Sequence, residues 1–405
     1  MDLATLITPL SVSELREGFW NKRSVHLRGR PDRFSGLAFD FEKLCERLHF
    51  ERVPGVKAQF IDAQGRHQEM PVTAGQIKLC FAAGMTICFG DMDTALPLLF
   101  AQAEEIRRSM RFPGNMNFSC YWSPPNMGFG LHYDDHAVFI FQLTGRKRWS
   151  YGQSPVVPEP RDNFVYSPDG AVELRTRGIE VVEPRDDQLE SAVLEPGDIL
   201  FLPGGTWHKT SAVGGESRSV TFRAFDGGVT HVVLQCLRTW MDRVGGWRNP
   251  MPPVDPSENA DGEMPAAIHA VLAERLEMLK SFVGALTVDD LARAWTELQS
   301  RSVPRAEVSE LNPQTRFALR SNIRVLRLDG SGGEVFYVYD GESETELPLG
   351  DNPWLSDLLG AKEHTAIDAT RWGGTSSTWE ETRELLQDLL DKGIIEVRPP
   401  SEERR

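Results

Sequence analysis

The spacing of apolar residues changes along this chain of 405 residues and divides it into regions of different secondary structure. Helical spacing predicts short helices at Ser13–Trp20 and Phe41–Leu48 and a longer helix at Leu96–Arg111. From Met116 to Phe225 the pattern is that of short strands, with apolar runs interrupted by Gly, Pro and Asp. The central part of the chain is therefore predicted to be dominated by β-structure.

After the strand region the pattern becomes helical again. It predicts a helix at Thr230–Val244 and amphipathic helices at Pro265–Val283 and Val288–Ser300, the last with Thr287 as its N-cap residue. The segment Asn249–Gly262 is rich in Pro, Asp and Gly and has the composition of a linker. This part of the chain is expected to form a separate helical region.

The last hundred residues mix the two patterns. The runs Asn322–Leu328 and Gly333–Tyr339 predict a β-hairpin, because a Gly-rich turn separates them. A helix is predicted at Trp379–Leu390, followed by a glycine turn and a terminal strand at Ile394–Val397.

Two short motifs in the strand region carry the most specific chemistry. His132 and Asp134 are alternate residues of one predicted strand, so both side chains point to the same face, away from Tyr133. His208 follows an apolar run and a Pro-Gly-Gly turn, 74 residues after Asp134. Two His and one carboxylate from separate strands match the facial triad that binds Fe(II) and leaves coordination positions open.

The residues around these motifs resemble the JmjC-type oxygenases of the cupin superfamily, which depend on Fe(II) and 2-oxoglutarate. The ribosomal oxygenases, which hydroxylate ribosomal proteins, are the most similar members. The resemblance is strong from about residue 110 to 225 and rests on Tyr121–Pro125, Gly128–His136 and Val138–Trp149. It extends weakly to Phe19–Val25, where Ser24 occupies a position at which the family usually has proline.

The resemblance implies that Lys147, 15 residues after His132, pairs with the distal carboxylate of 2-oxoglutarate. The strand pattern agrees, since Lys147 shares a face with the apolar Trp149, and a lysine that faces a barrel interior requires an anionic partner. Arg146 and Arg148 are then expected to face solvent. The alternative is that the Lys147 side chain extends past Trp149 to the surface.

Further pocket residues are predicted less directly. Gln142 has the same strand parity as His132 if the strand has no bulge, although a solvated glutamine at the strand end would show the same pattern. By resemblance, Thr221, on one face with Ser219, is expected near the metal or the co-substrate. His136 is interpreted as a rim histidine rather than a fourth ligand. Phe129 occupies a position where relatives have a threonine that contacts the co-substrate, so that contact is not transferred.

The predicted fold class is α+β, with a double-stranded β-helix of the jelly-roll, cupin or JmjC type at its core. The expected domains are a catalytic domain at residues 1–228, a helical linker and dimerisation region at 229–305, and a winged-helix-like domain at 306–405. The dimerisation region and the winged helix are implied by the resemblance. Packing of the helices within one chain is the alternative to dimerisation.

Composition and charge limit the possible partners. A net charge of −15 disfavours a general nucleic-acid binder and favours a basic protein partner, although the charge is also explained by solubility alone. The C-terminal residues 361–405 contain 10 acidic and 7 basic side chains, so no direct nucleic-acid contact is expected from them. The five scattered cysteines and the lack of an apolar segment long enough to cross a membrane predict a cytoplasmic protein.

The sequence therefore predicts an oxygenase in which His132, Asp134 and His208 hold Fe(II) and Lys147 binds 2-oxoglutarate. The resemblance implies O₂ as the second co-substrate, a homodimer, and hydroxylation of a protein side chain in a basic ribosomal protein. Three alternatives remain open: a hydroxylase of a biosynthetic peptide or small molecule, a demethylase of methylated lysine, and a cupin-like binding module without catalysis.

Overall fold

The computed structural model describes most of the chain as two compact units, residues 1–226 and 227–405. The first predicted domain boundary, at 228, lies close to this division, whereas the predicted boundary at 305 falls within residues 301–310, which are not described. No helix in the described part is long and apolar enough to cross a lipid bilayer. The described residues are 3–35, 55–62, 67–92, 97–110, 112, 114–167, 170–171, 174, 178–225, 228–253, 264–300, 311–320, 323–330, 333–341, 343–360, 363–374 and 376–398.

The first unit is built from antiparallel strands, as the sequence predicts. Its helices are α1 Leu3–Ile7, α2 Val12–Glu14, α3 Ala74–Ala82 and α4 Pro97–Ser109. Its strands are β1 Val25–Leu27, β2 Val56–Ile61, β3 His67–Pro71, β4 Thr86–Phe89, β5 Asn115–Ser123, β6 His132–Tyr133, β7 Ala137–Thr144, β8 Lys147–Tyr151, β9 Phe164–Val165, β10 Glu190–Leu194, β11 Ile199–Leu202, β12 His208–Ala212 and β13 Ser217–Phe225.

These strands form two sheets, and residues of both sheets line one cavity. The larger sheet has the order β1-β11-β7-β13-β5-β4-β2-β3, and the smaller has the order β10-β8-β12-β6-β9. The chain passes repeatedly from one sheet to the other between β5 and β13. This arrangement confirms the predicted double-stranded β-helix core.

The central strand β7 shows why the fold needs apolar residues on both faces of the larger sheet. Phe139 and Phe141 point to an outer core, where Phe139 packs against Trp20 and Phe201 with ring centroids 6.2 and 4.8 Å apart. Val138 and Ile140 point to the opposite face and line the cavity. The amino-terminal segment that contains Trp20 therefore covers the outer face of the sheet.

Most of the predicted helices are confirmed, with small shifts at their ends. The predicted helix at residues 96–111 is α4, and the segment from Ser13 to Trp20 forms α2 followed by a π-helical turn at Leu15–Phe19. The predicted helix at Phe41–Leu48 lies outside the described residues.

The second unit begins with three helices, α5 Gly228–Arg243, α6 Ala266–Ala285 and α7 Val288–Leu298. Thr287 caps α7 as predicted, because its side chain accepts a hydrogen bond from the backbone N–H of Asp290. Trp240 of α5 stacks on Phe282 of α6 with ring centroids 4.4 Å apart.

The remainder of the second unit contains two small sheets and two helices. The predicted hairpin is formed by β15 (Arg324–Gly330) and β16 (Gly333–Tyr339), and the predicted terminal helix and strand are α9 (Trp379–Asp391) and β19 (Ile395–Arg398). Arg293 of α7 lies against Glu344 and above the ring of Tyr337, so α7 packs on this part of the unit. The elements are β14 Arg316–Leu319, β15 Arg324–Gly330, β16 Gly333–Tyr339, β17 Glu344–Pro348, α8 Leu355–Gly360, β18 His364–Thr365, α9 Trp379–Asp391 and β19 Ile395–Arg398.

Candidate metal centre

The two histidines of the predicted triad lie opposite each other on neighbouring strands. β6 pairs with β12 in antiparallel orientation, and His132 is the register partner of His208. Their ring centroids are 4.0 Å apart. Strand pairing thus brings together two residues that are far apart in sequence.

Asp134 completes the cluster from the end of β6. Its Oδ2 lies 3.7 Å from Nε2 of His208, and one ligand atom from each of the three residues lies within 4.8 Å of the others. Tyr133, between His132 and Asp134, is buried on the other side against Trp207, with ring centroids 5.1 Å apart. The alternation predicted from the sequence is therefore present in the structure.

A glycine turn fixes the position of Asp134. The backbone N–H of Gly205 donates to the carbonyl oxygen of Asp134 at 2.7 Å. Gly205 has a φ of 77°, and a Cβ at this position would lie 2.0 Å from the carbonyl oxygen of Val157. Only glycine fits this turn without displacing the backbone.

Hydrogen bonds orient both imidazoles for metal binding. Nδ1 of His132 lies 2.8 Å from the carbonyl oxygen of Gly130, and Nδ1 of His208 lies 2.9 Å from that of Thr206. A carbonyl oxygen only accepts, so Nδ1 carries the proton and Nε2 keeps its lone pair. Burial lowers the pKa of His132 to about 3 and that of His208 to about 4, which keeps both rings neutral. Neutral, oriented imidazoles are what metal coordination requires.

Lys147 faces the interior as predicted and does not extend to the surface. Its side chain is only 2% exposed, whereas Arg146 and Arg148 are exposed. The ammonium donates to Oγ of Ser123 at 3.1 Å and lies 5.7 Å from the ring centroid of Tyr121. No carboxylate of the described residues pairs with it. Burial lowers its pKa to about 8, so the ammonium is poorly compensated without an anionic ligand.

One cavity of about 610 Å³ connects the cluster with Lys147. All three members of the triad line this cavity, and so does the Lys147 side chain. The predicted Thr221 and its neighbour Ser219 also line it, which confirms that they share the inward face. A triad and a cation on one cavity can hold a metal ion together with an anionic ligand.

Gln142 is not among the residues that line the cavity. Gln142 points to the predicted face of β7, the face on which Val138 and Ile140 line the cavity. It lies further along the strand than these two residues and therefore does not reach the cavity. Its Nε2 donates to the carbonyl oxygen of Thr144 at 2.8 Å and to Oγ of Ser217 at 2.9 Å. The side chain is thus bound to the end of β7 and to the first residue of β13.

His136 lines the cavity without belonging to the cluster. Its Nδ1 is paired with the carboxylate of Asp135 at 2.5 Å, and its ring packs on Phe225 at a centroid distance of 4.1 Å. The prediction that it is not a fourth ligand agrees with its absence from the group of ligand atoms.

The sequence did not predict the part of the cavity wall that β2 and β3 form. Gln59, His67 and Glu69 from these strands line the cavity, and His67 stacks on Phe129 with ring centroids 5.4 Å apart. Lys57 and Glu69 form an ion pair at 2.6 Å between β2 and β3, and Arg223 and Asp91, which also line the cavity, form another at 2.5 Å. The strands contain no recognisable motif, so only their place in the sheet reveals their contribution.

Comparison with known proteins agrees with the fold. A family model described as the JmjC domain matches residues 97–228. The chain is 26% identical over 225 residues to the bifunctional lysine-specific demethylase and histidyl-hydroxylase NO66 of Aedes aegypti, covering 52% of this chain and 32% of that protein. It is 38% identical over 232 residues to ribosomal oxygenase 2 of Rattus norvegicus, covering 53% and 45%. The chain thus spans less than half the length of these two relatives.

The solved structures extend the similarity to most of the chain. The structure of YcfD, a ribosomal oxygenase from Escherichia coli in complex with cobalt and 2-oxoglutarate, matches with a TM-score of 0.56 at 17% identity. The match covers 96% of this chain and 99% of YcfD. At this identity the match establishes the fold. Residues 97–228 therefore match the JmjC-domain model, and ribosomal oxygenases are among the proteins to which the chain is similar in sequence and in fold.

Proposed function

We propose that this protein is an Fe(II)- and 2-oxoglutarate-dependent oxygenase that hydroxylates a side chain of a protein substrate. The observation that carries the proposal is the shared cavity, which places a cluster of two histidines and one aspartate together with the buried Lys147. Three protein ligands leave positions on the metal for a chelating co-substrate and O₂. A binding module without catalysis would not require both features.

The chain's own residues fit Fe(II) well. His132, Asp134 and His208 supply two neutral nitrogens and one carboxylate oxygen, and no described cysteine belongs to the cluster. When bound, Fe(II) supplies O₂ activation coupled to the oxidative decarboxylation of 2-oxoglutarate, which inserts one oxygen atom into a C–H bond of the substrate. The protein holds the ligands in place through the Nδ1–H bonds of the two imidazoles.

Lys147 is the proposed partner of the distal carboxylate of 2-oxoglutarate. The buried ammonium requires an anion, and the charge pair would be formed in a site with little water, where it is strong. The YcfD structure that contains 2-oxoglutarate supports the choice of co-substrate. Thr221, on the inward face of β13, is proposed to contact the co-substrate as well.

The proposed substrate is a basic ribosomal protein. Relatives in two groups of organisms carry the name ribosomal oxygenase. The net charge of −15 would attract a basic partner through long-range electrostatics. A biosynthetic peptide or a small molecule is the alternative substrate for the same cavity.

Demethylation is a second candidate reaction for this metal centre. It is favoured by the relative NO66, whose name includes both a lysine-specific demethylase and a histidyl-hydroxylase. Hydroxylation of an N-methyl group releases formaldehyde, whereas hydroxylation of a stable C–H bond adds oxygen to the product. The two reactions are therefore distinguished by their products.

The test is turnover of the purified protein with Fe(II), 2-oxoglutarate and O₂ in the presence of a ribosomal-protein mixture. We expect succinate together with a mass increase of one oxygen atom on one protein, and neither signal when 2-oxoglutarate is omitted. Formaldehyde in place of the mass increase would identify a demethylase. Succinate without either product would direct the search to peptides and small molecules, and bound iron without succinate would contradict the proposal.

We further propose that the protein is a homodimer and that α6 contributes to the interface. None of the residues of α6 is buried within the described chain. Leu272, Leu276 and Val283 lie on one face of this helix and are 45%, 49% and 55% exposed. An apolar helix face of this kind is typical of a surface that a second copy covers.

The role of the C-terminal unit and the location of the protein are also proposals. The succession of α9, a glycine turn and β19 supports a winged-helix-like domain. Its net acidic charge supports protein contacts rather than binding to nucleic acid. The described cysteines Cys80, Cys88, Cys120 and Cys236 are free thiols, which supports a reducing compartment such as the cytoplasm.

A further inference from the structure

Three buried polar side chains, Thr86, Ser123 and Lys147, are connected by hydrogen bonds next to the cavity. Oγ1 of Thr86 on β4 donates to Oγ of Ser123 on β5 at 3.2 Å, and Nζ of Lys147 on β8 lies 3.1 Å from the same Oγ. Thr86 and Ser123 are fully buried, and Lys147 is 2% exposed. Thr86 and Ser123 are not among the residues that line the cavity, so neither contacts a ligand directly.

Burying these polar groups costs folding free energy unless the two hydroxyl groups stabilise the ammonium. Hydroxyl groups and a positive charge are all unfavourable in the interior of a sheet, where apolar side chains would pack without penalty. An ammonium only donates, so Ser123 must present an oxygen lone pair to it. Thr86 also donates a hydrogen bond to Oγ of Ser123. This second bond occupies another hydrogen-bonding position of the Ser123 hydroxyl and thereby fixes its orientation.

The only hydrogen bond of Nζ within the described part of the chain is the one to Ser123. This bond draws the ammonium to the point where β4 and β5 meet and therefore sets how far it reaches into the cavity. A hydrogen bond to the charged form also favours protonation, which opposes the effect of burial.

We propose that Ser123, held by Thr86, is a positioning residue that fixes the Lys147 ammonium and keeps it charged for the distal carboxylate of the co-substrate. The inference rests on the proposed function, since it requires that an α-keto dicarboxylate binds at Lys147. Ser123 would then determine how tightly the co-substrate binds and which co-substrate length the site prefers. Without the bond to Ser123, the ammonium would no longer lie at a fixed distance from the metal cluster.

The test is calorimetric titration of the full-length, Mn(II)-loaded protein with 2-oxoglutarate, without oxygen, between about pH 6 and 9. Cys88 of β4 and Tyr121 of β5, both near Lys147, stay protonated in this range, because burial raises the pKa of Cys88 to about 11 and raises that of Tyr121 as well. For the unaltered protein, binding should weaken above about pH 8, where Lys147 loses its proton.

Ser123→Ala should weaken 2-oxoglutarate binding about tenfold and move the pH at which binding weakens downward by about one unit. It should also reduce the preference for 2-oxoglutarate over 2-oxoadipate, which is one carbon longer. Ser119→Ala is the matched control, because Ser119 lies on the same strand and face and is 1% exposed, whereas the hydrogen bond of Lys147 within the described residues goes to Ser123. It should leave the affinity and the pH profile unchanged.

Thr86 provides a second pair of variants that does not depend on Ser123 tolerating substitution. Thr86→Val keeps the shape and removes the hydroxyl, so it should shift the pH profile in the same direction as Ser123→Ala, whereas Thr86→Ser should restore it. Profiles of Ser123→Ala and Thr86→Val that match Ser119→Ala would overturn the inference while leaving the proposed function intact. If Lys147→Met bound 2-oxoglutarate like the unaltered protein, the co-substrate site itself would be wrong and the inference would fall with it.

Discussion

His132 and His208 are register partners on adjacent antiparallel strands, and their ring centroids lie 4.0 Å apart. Because each ring donates its Nδ1 proton to a carbonyl oxygen of its own chain segment, both Nε2 atoms remain available for one ion. The metal centre is thus prepared by strand pairing and by backbone hydrogen bonds before any metal binds.

The first prediction concerns the metal ligands. His132→Ala or Asp134→Ala should reduce the affinity for Mn(II) or Co(II) more than about 100-fold, because the two remaining ligands of the triad hold a metal ion only weakly. Turnover should be abolished, while the melting temperature of the metal-free protein changes little. Metal content after dialysis and succinate formation are the measurements.

His136→Ala is the control for this prediction. His136 lies on the same cavity but outside the cluster, so this variant should still retain one metal ion per chain. Loss of the metal from His136→Ala, or normal turnover in His132→Ala, would contradict the assignment of the ligands.

The second prediction concerns the cost of burying Lys147. Within the described residues the Lys147 ammonium is buried and has one hydrogen bond, and Lys147→Met replaces it by an apolar side chain of similar length. The metal-free, ligand-free protein should become more stable by roughly 1–4 kcal/mol. The same variant should lose most of its affinity for 2-oxoglutarate. Denaturant unfolding and calorimetry separate the two effects, and a destabilised variant would show that Lys147 has a structural role.

The third prediction is a pH dependence of protein stability. Burial lowers the folded-state pKa of Lys147 from the ordinary lysine value of 10.5 to about 8. Between these values the unfolded chain binds more protons than the folded chain, so the contribution of Lys147 to the free energy of unfolding rises with pH in this window. The difference in unfolding free energy between Lys147→Met and the unaltered protein should therefore shrink from pH 8 towards pH 10. A difference that is constant over this range would rule out the lowered pKa.

The fourth prediction concerns the turn that fixes Asp134. Gly205→Ala should destabilise the protein by about 2 kcal/mol or more, because φ is positive and the added Cβ would collide with Val157. Metal affinity should fall with it, since the Gly205 N–H holds the Asp134 backbone.

Gly215→Ala is the matched control, because a Cβ there meets no atom within 4 Å and Gly215 is not among the glycines with positive φ. It should leave stability and metal affinity near those of the unaltered protein. Equal effects of the two substitutions would show that the turn at Gly205 is not specific.

The fifth prediction concerns the exposed face of α6. Replacing Leu272 and Leu276 by aspartate should convert a dimer into a monomer, because two charges would be buried without partners in the interface. Light scattering after size-exclusion chromatography measures the mass directly. A monomer in the unaltered protein would contradict the proposed dimer.

The sequence predicted the cluster because its signal is local. Alternation along β6 places His132 and Asp134 on one face, and an apolar strand and a turn precede His208. Both motifs are visible in the sequence, and the resemblance to JmjC proteins assigns them to one site. The role of Lys147 is implied by the resemblance, and its parity with Trp149 along β8 agrees with it.

Other features depend on which strands become neighbours, which the sequence does not specify. Thr86, Ser123 and Lys147 lie on three different strands, and no spacing between these residues in the sequence predicts their contact. Gln142 has the predicted parity but lies too far along β7 to line the cavity. His67 reaches the cavity only because β3 is added to the sheet beside β2.

The most direct test of the account is the crystal structure of the protein grown without oxygen in the presence of Mn(II) and 2-oxoglutarate, with anomalous diffraction measured at the manganese edge. The account predicts one anomalous peak bound by His132, Asp134 and His208, with the keto-acid end of 2-oxoglutarate on the metal and its distal carboxylate on Lys147. A manganese peak elsewhere, or a bound 2-oxoglutarate that does not contact Lys147, would contradict it.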